Sequence, residues 1–342
     1  MEVSDEVQKC SRCGYCQAVC PVYAVSLKER CVARGHNLRV QAILREKTTP
    51  LLVDKNNFFD CLLCRACFDA CFAGVKTCEV VMAARNAWCQ IYGNSLIKKL
   101  VLRHIIPHPS FLSLAVTFAL LVKRAGIIKS LKALGLNNRC KPLNIVDDLL
   151  GLAFRMRTYT KGSFRVQDQK EVVNPGKAVL YFGGCGIRLL FPEVARTTER
   201  ILQRIGFEVV KFNNYCCGLP SYTYADVEGA RKLIQLNLRK WEQYRNSGAI
   251  IVTDCSSCAS FLKDYEKLMQ GTPEETLARE FSAQVRDVVE VIADYVPYGR
   301  LETSVTFHYP CHLSRYQNIG SSVNRIMQKI RELDYRVIDE AT

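Results

Sequence analysis

The chain has 342 residues, 49% of them apolar and 23% charged, which suits a globular protein of one large or two smaller domains and excludes a disordered or fibrous one. Its formal charge of +14 is uneven, with 13 basic and two acidic side chains in residues 96–165. Eighteen cysteines follow a start with no apolar signal segment, so the expected compartment is reducing and dense cysteines point to metal rather than disulfides.

In chain order, residues 1–95 carry two cysteine runs. The first is CSRCGYCQAVCP, with Cys10, Cys13, Cys16 and Cys20; the second is CLLCRACFDAC, with Cys61, Cys64, Cys67 and Cys71. Both repeat the spacing C-x2-C-x2-C-x3-C of bacterial ferredoxins. Three close thiolates wrap one cubane and the fourth reaches the other. The expected ligand sets are Cys10, Cys13 and Cys16 with Cys71, and Cys61, Cys64 and Cys67 with Cys20. Soft thiolates suit zinc as well as iron–sulfur clusters, but this spacing used twice favours two [4Fe-4S] clusters. Phe72 stands where proline usually follows the fourth cysteine. Each four-thiolate cubane removes about two charges from the formal total.

Residues 96–176 read as a basic, partly helical connector, broken at Pro107 and Pro109. Its apolar run at 111–122 is 12 residues long, short of the roughly 20 that a spanning helix needs, so a buried or surface-lying helix is expected.

From Lys177 the pattern becomes α/β. Strands are expected at 178–184, 207–212 and 249–254, with helices at 193–206 and 226–248, each ending on glycine. Alternation of this kind gives a parallel sheet, and ligands gather at its carboxyl edge. There the sequence places Cys185, the adjacent Cys216 and Cys217, and Cys255 with Cys258. Five convergent thiolates exceed the four that a cubane or a zinc ion takes. An adjacent pair suits a cluster whose thiolates bridge irons as well as cap them, and Gly218 lets the backbone pass close by. Asp254, before CSSC, is expected to cap a helix.

A repeat follows. VTFHYPC at 305–311 echoes VLYFGGC 126 residues earlier, and a helix–strand pattern at 323–339 echoes 199–212. In this register the counterpart of Cys216 falls at about 344, past Thr342, so the second copy is expected to be truncated. Cys31, Cys78, Cys89 and Cys140 read as core residues, with Cys78 closest in sequence to the second run. Cys311 reads as a lone cysteine or an extra ligand near the first site. His308 and His312 flank it, as structural residues or proton carriers.

The order GGC…CCGLP…CSSC…HYPCHL behind twin ferredoxin runs, together with RHIIPHPSFL and CASFLKDYEKLM, resembles the glycolate oxidase iron–sulfur subunit over essentially the whole chain. Its cysteine-rich CCG repeat is similar to that of the CCG-containing subunit of heterodisulfide reductase and of the iron–sulfur subunits of lactate-utilisation and anaerobic glycerol-3-phosphate dehydrogenase complexes. The resemblance implies an α + α/β protein. Its parts are a helical dicluster ferredoxin domain (1–95), the basic helical connector (96–176), a first α/β CCG domain with a parallel sheet (177–300) and a partial second repeat (301–342). It also implies a third, non-cubane [4Fe-4S] cluster on Cys185, Cys216, Cys217, Cys255 and Cys258.

No G-x-G-x-x-G, P-loop, Ser–His or paired-carboxylate arrangement is present, so hydride removal from an organic substrate falls to another subunit. The resemblance implies an electron-transfer subunit with an FAD-containing 2-hydroxy-acid dehydrogenase as its flavoprotein partner, and an electron-transfer protein or quinone as acceptor. The expected location is cytoplasmic, with peripheral contact on the inner membrane face through the basic segment and no nucleic-acid role. The alternative implied is a heterodisulfide-reductase-like subunit whose CCG cluster reduces a disulfide. A zinc-bound interaction module is the third reading.

Overall fold

A computed structural model describes residues 3–45, 56–107, 177–295 and 299–338, with scattered positions between 111 and 125. Cys140 and most of the connector lie outside the described residues.

The N-terminal part is helical. Short helices α1 (Val3–Gln8), α2 (Tyr15–Ala18), α3 (Pro21–Ser26), α5 (Asn56–Phe59) and α6 (Ala66–Asp69) surround two longer ones, α4 (Ala33–Leu44) and α7 (Thr77–Tyr92). The small core comprises Val7, Val40, Phe58, Leu63, Val80, Val81 and Met82. Helix α2 carries Cys16, the third cysteine of the first run, α6 carries Cys67, the third of the second, and the two pack together. The chain continues through α8 (Leu96–Leu100) into a π-helical turn, Val101–Ile105.

The second part is the expected parallel sheet. Strands β1 (Ala178–Phe182), β2 (Glu208–Phe212), β3 (Ile250–Thr253) and β4 (Val285–Asp287) run in the order β2-β1-β3-β4, all neighbours parallel. The helices between them are α9 (Cys185–Leu190) and α10 (Pro192–Arg204), then α11 (Leu219–Thr223) and α12 (Val227–Glu242), then α13 (Ser256–Lys263), α14 (Tyr265–Leu268) and α15 (Glu275–Gln284), and last α16 (Val288–Asp294). Gly206 and Gly248, both at positive φ, turn the chain after α10 and α12. On α12 the buried stripe Leu233, Ile234, Leu238 and Trp241 joins Leu180, Phe182, Ile251 and Phe281 in the main core.

Beyond it, β5 (Arg300–Val305) and β6 (Arg331–Tyr335) form a separate parallel pair, with α17 (Cys311–Ser314) and α18 (Gly320–Lys329) between them. Strand β5 ends at Val305, because its partner β6 ends opposite that residue and leaves Thr306–Pro310 without a ladder.

The two parts are joined by specific contacts. Arg85, buried on α7, donates to Phe58 O at 3.0 and 2.8 Å, to Cys61 O at 2.6 Å and across to Thr223 O at 2.8 Å. Arg103, from the π-helical turn, makes a two-pronged pair with Asp226 at 3.0 and 2.6 Å. Asp226 also caps α12 by accepting from Gly229 N–H. Tyr222 packs against both cores.

Candidate iron–sulfur sites

Both ferredoxin runs form loops with the same backbone twist. Arg12 and Gly14 in the first, and Leu63 and Arg65 in the second, occupy matching positions and all have positive φ. For a non-glycine residue this conformation costs roughly 1–2 kcal/mol. It aims successive backbone N–H groups into a concavity, the kind of nest that receives an anion. Leu63 N–H already points at the Cys61 sulfur, 3.4 Å away.

In the first loop, Cys10 and Cys16 are neighbours beside the Arg34 guanidinium, and burial raises the Cys16 pKa. Cys13 is exposed, and Cys71 is half-buried just past α6. In the second, Cys61, Cys64 and Cys67 line one small cavity, and Cys20 of the first run lines it with them. Burial pushes Cys61 up to about 12 and raises Cys64 as well. A neutral buried thiol becomes a thiolate when iron takes it, with release of its proton.

Two further side chains on this cavity were not singled out as site residues from the sequence. Cys78 lines it and touches Cys67; the pair's shared proton stays with Cys67, so Cys78 is the more acidic. His36 also lines it, only 1% exposed, with its ring against the Cys31 backbone. Burial, with Arg39 nearby, lowers its pKa to about 4, so the ring is neutral at pH 7. Four cysteine sulfurs around one hollow are the soft donor set that a four-iron group takes, so the residues present fit one. Cys20, Cys61, Cys64 and Cys67 would hold it.

The sheet places the other five cysteines together at its carboxyl edge. Cys185 opens α9 after β1, Cys216 and Cys217 follow β2, and Cys255 is the residue before α13, which carries Cys258. Their sulfurs form a chain of contacts, Cys185–Cys216–Cys217–Cys258–Cys255. Each thiol in it donates to or accepts from the next. The Cys216 and Cys258 contacts pull Cys217 down, and the Cys258 contact pulls Cys255 down. Cys185 is pushed up by Cys216 and then by burial, and Cys258 by Cys217 and Cys255. Among the described residues, no group of three or more His, Cys, Asp or Glu is arranged to hold a single metal ion; the five sulfurs form an extended row.

The backbone around the adjacent pair is tightly fixed. Asn237, buried on the apolar stripe of α12, accepts from Tyr215 N–H at 2.9 Å and donates to Cys216 O at 3.0 Å. Tyr265 O–H, fully buried, donates to Cys217 O at 2.6 Å. Asn214 donates to Gly183 O at 3.1 Å. Gly218 has φ +101 and precedes α11, and a Cβ there would meet Phe261 at 3.3 Å. Gly184 is tighter: a Cβ would stand 2.9 Å from Cys255 Cβ. Asn237 had a signal in the sequence, as a polar residue at a core position of an amphipathic helix. Tyr265 had none.

Asp254 is not the helix cap that was expected. Cys255 occupies that place with extended backbone, and the Asp254 carboxylate accepts from Tyr181 O–H at 2.6 Å instead. Cys311 stands near Cys64 of the ferredoxin part, on α17, which packs against α13. His308 is exposed, whereas His312 Nδ1 lies 2.6 Å from Ser257 Oγ, inside CSSC.

Segment 312–317 spans the two thiol groups. His312 and Gln317, the latter donating to Ser256 O at 3.2 Å, hold CSSC. Tyr316 donates to Leu63 O at 2.6 Å and lies under the Arg65 guanidinium at 3.9 Å. Arg315 pairs with Asp69 at 3.2 Å.

Comparison with known proteins agrees with this geometry. The 4Fe-4S dicluster domain family matches residues 6–75, and the cysteine-rich (CCG) domain family matches 179–263 and 305–341. The chain is 24% identical to the probable glycolate oxidase iron-sulfur subunit of Bacillus subtilis, over 98% of this chain and 78% of that one. It is 24% identical to the Escherichia coli glycolate oxidase iron-sulfur subunit, over 96% and 77%. It is 29% identical to a fumarate reductase (CoM/CoB) subunit of Methanothermobacter marburgensis, over 47% and 31%. No solved structure matches. Residues 6–75 thus match a 4Fe-4S dicluster domain and residues 179–263 and 305–341 a CCG domain, and nearly the whole chain is similar to glycolate oxidase iron–sulfur subunits.

Proposed function

We propose that this chain is the electron-transfer subunit of a flavin-dependent 2-hydroxy-acid oxidoreductase complex, with glycolate or lactate as the substrate class. An FAD-containing partner removes two electrons from the substrate. Two [4Fe-4S] clusters on the ferredoxin cysteines and a non-cubane cluster on the CCG cysteines supply single-electron steps when bound. The chain's own residues fix the sites relative to one another. The observation that carries this reading is segment 312–317, which hydrogen-bonds to CSSC on one side and to the second ferredoxin loop on the other. Such a bridge gives two redox sites a short, rigid, covalent-and-hydrogen-bonded connection.

The basic connector is the proposed docking segment for the flavoprotein or an anionic membrane surface. The exposed side chains of Phe111, Leu114, Phe118 and Leu121 support this. No helix among the described residues is long and apolar enough to cross a membrane. The resemblance of the CCG cysteines to those of heterodisulfide reductase supports a second reading, in which the CCG site reduces a disulfide.

Iron and acid-labile sulfide per chain, with EPR of reduced and oxidised anaerobic protein, test the assignment. The expected result is about twelve irons with a cubane signal on reduction and a different one on oxidation. About eight irons with cubane signals alone would remove the CCG cluster from the reading. Colourless, iron-free protein would end it. Disulfide reduction by the isolated chain would decide for the second reading.

A further inference from the structure

The cavity of the second ferredoxin run holds more thiols than a cubane takes. Four thiolates hold such a cluster, and Cys20, Cys61, Cys64 and Cys67 make up that number. Cys31 and Cys78 line the same cavity. The Cys31 sulfur is turned toward Asp60, 3.8 Å away. The Cys78 sulfur is turned inward: it touches Cys67, and the Arg65 backbone N–H and the Tyr316 hydroxyl face it. It sits in the first turn of the 16-residue α7, 9% exposed, in the packed core with Leu63, so its place is fixed by the helix and not by a mobile loop. The Cys20 sulfur makes a long contact to Cys31 O, at 3.9 Å. The buried His36 ring lines the same space.

We propose that Cys78 is a reserve ligand of the second cluster. When the iron–sulfur bond to Cys20 breaks, the Cys78 sulfur forms the bond in its place, and its proton passes to the Cys20 sulfur. Iron count and oxidation level are unchanged by this exchange. The inference rests on the reading above, that this cavity holds a four-iron cluster. The arrangement lets the cluster survive loss of the ligand that the first run contributes across the domain.

The test uses anaerobically purified full-length chain in four forms: wild type, Cys20→Ala, Cys78→Ala and the double variant. Iron and sulfide content, the reduced EPR spectrum and the reduction potential of each cluster are measured, with circular dichroism to confirm folding. The expected result is wild-type iron content in both single variants, an altered spectrum and potential for one cluster in Cys20→Ala, and loss of about four irons only in the double variant. Loss of about four irons in Cys20→Ala alone would overturn the proposal, since Cys78 then does not substitute. The same loss in Cys78→Ala alone would also overturn it, because Cys78 would be an obligate ligand. Iron-free wild-type protein would instead strike down the cluster reading on which the proposal rests.

Discussion

Gly184→Ala isolates the CCG site with a single methyl group. Gly184 has φ −60 and ψ 138, a conformation that alanine adopts without strain. The new Cβ stands 2.9 Å from Cys255 Cβ and 3.6 Å from the sulfurs of Cys255 and Cys258. Carbon atoms pack at about 3.5–4.0 Å, so Cys255 must withdraw by roughly 0.6–1 Å. Overpacking of this kind costs about 1–3 kcal/mol, against about 0.4–1 kcal/mol gained by stiffening the unfolded chain. The expected net loss in cluster-free protein is roughly 1–2 kcal/mol by urea unfolding. The loaded protein should lose the oxidised EPR signal and about four irons while keeping its reduced-cubane signals. Gly186→Ala is the control, since nothing lies within 4 Å of a Cβ there. Wild-type iron, signals and stability in Gly184→Ala would refute the argument that close backbone approach shapes the thiol row.

Other substitutions probe the supporting shell. Tyr265→Phe leaves the buried Cys217 carbonyl without its donor and should cost about 1–3 kcal/mol in chemical denaturation. His36→Leu removes a buried ring from the cavity wall, and the second cluster's potential should fall for want of an N–H donor; an unmoved potential would detach His36 from the cluster. Asp226→Asn should cost about 1–2 kcal/mol at pH 7, discounted because Arg103 is partly open to solvent. Burial alone would raise the Asp226 pKa, but the Arg103 and Gly229 hydrogen bonds and nearby cations hold it below the usual 3.8. The folded value is thus lower than the unfolded one. The stabilisation is complete above about pH 4 and is lost as the pH falls through the folded pKa, so wild type and Asp226→Asn should converge in acid.

The sequence alone determined the parts whose information is local or periodic. The twin C-x2-C-x2-C-x3-C runs named the ferredoxin cysteines because the spacing is itself the ligand geometry. Short apolar runs alternating with helix-periodic stretches placed three strands, and the parallel sheet then put Cys185, Cys216, Cys217, Cys255 and Cys258 at one edge. Tertiary structure decided what depends on contacts between distant residues. Cys78 reads as core filling in the sequence, and only the packing of α7 brings it to the cavity of Cys61, Cys64 and Cys67. Asp254 lost its expected capping role because the helix begins one residue later and Tyr181, from the neighbouring strand, takes its carboxylate. The Tyr316–Leu63 hydrogen bond spans 253 residues of chain. No period or motif encodes such a separation; it follows from how the two parts bury their surfaces against each other.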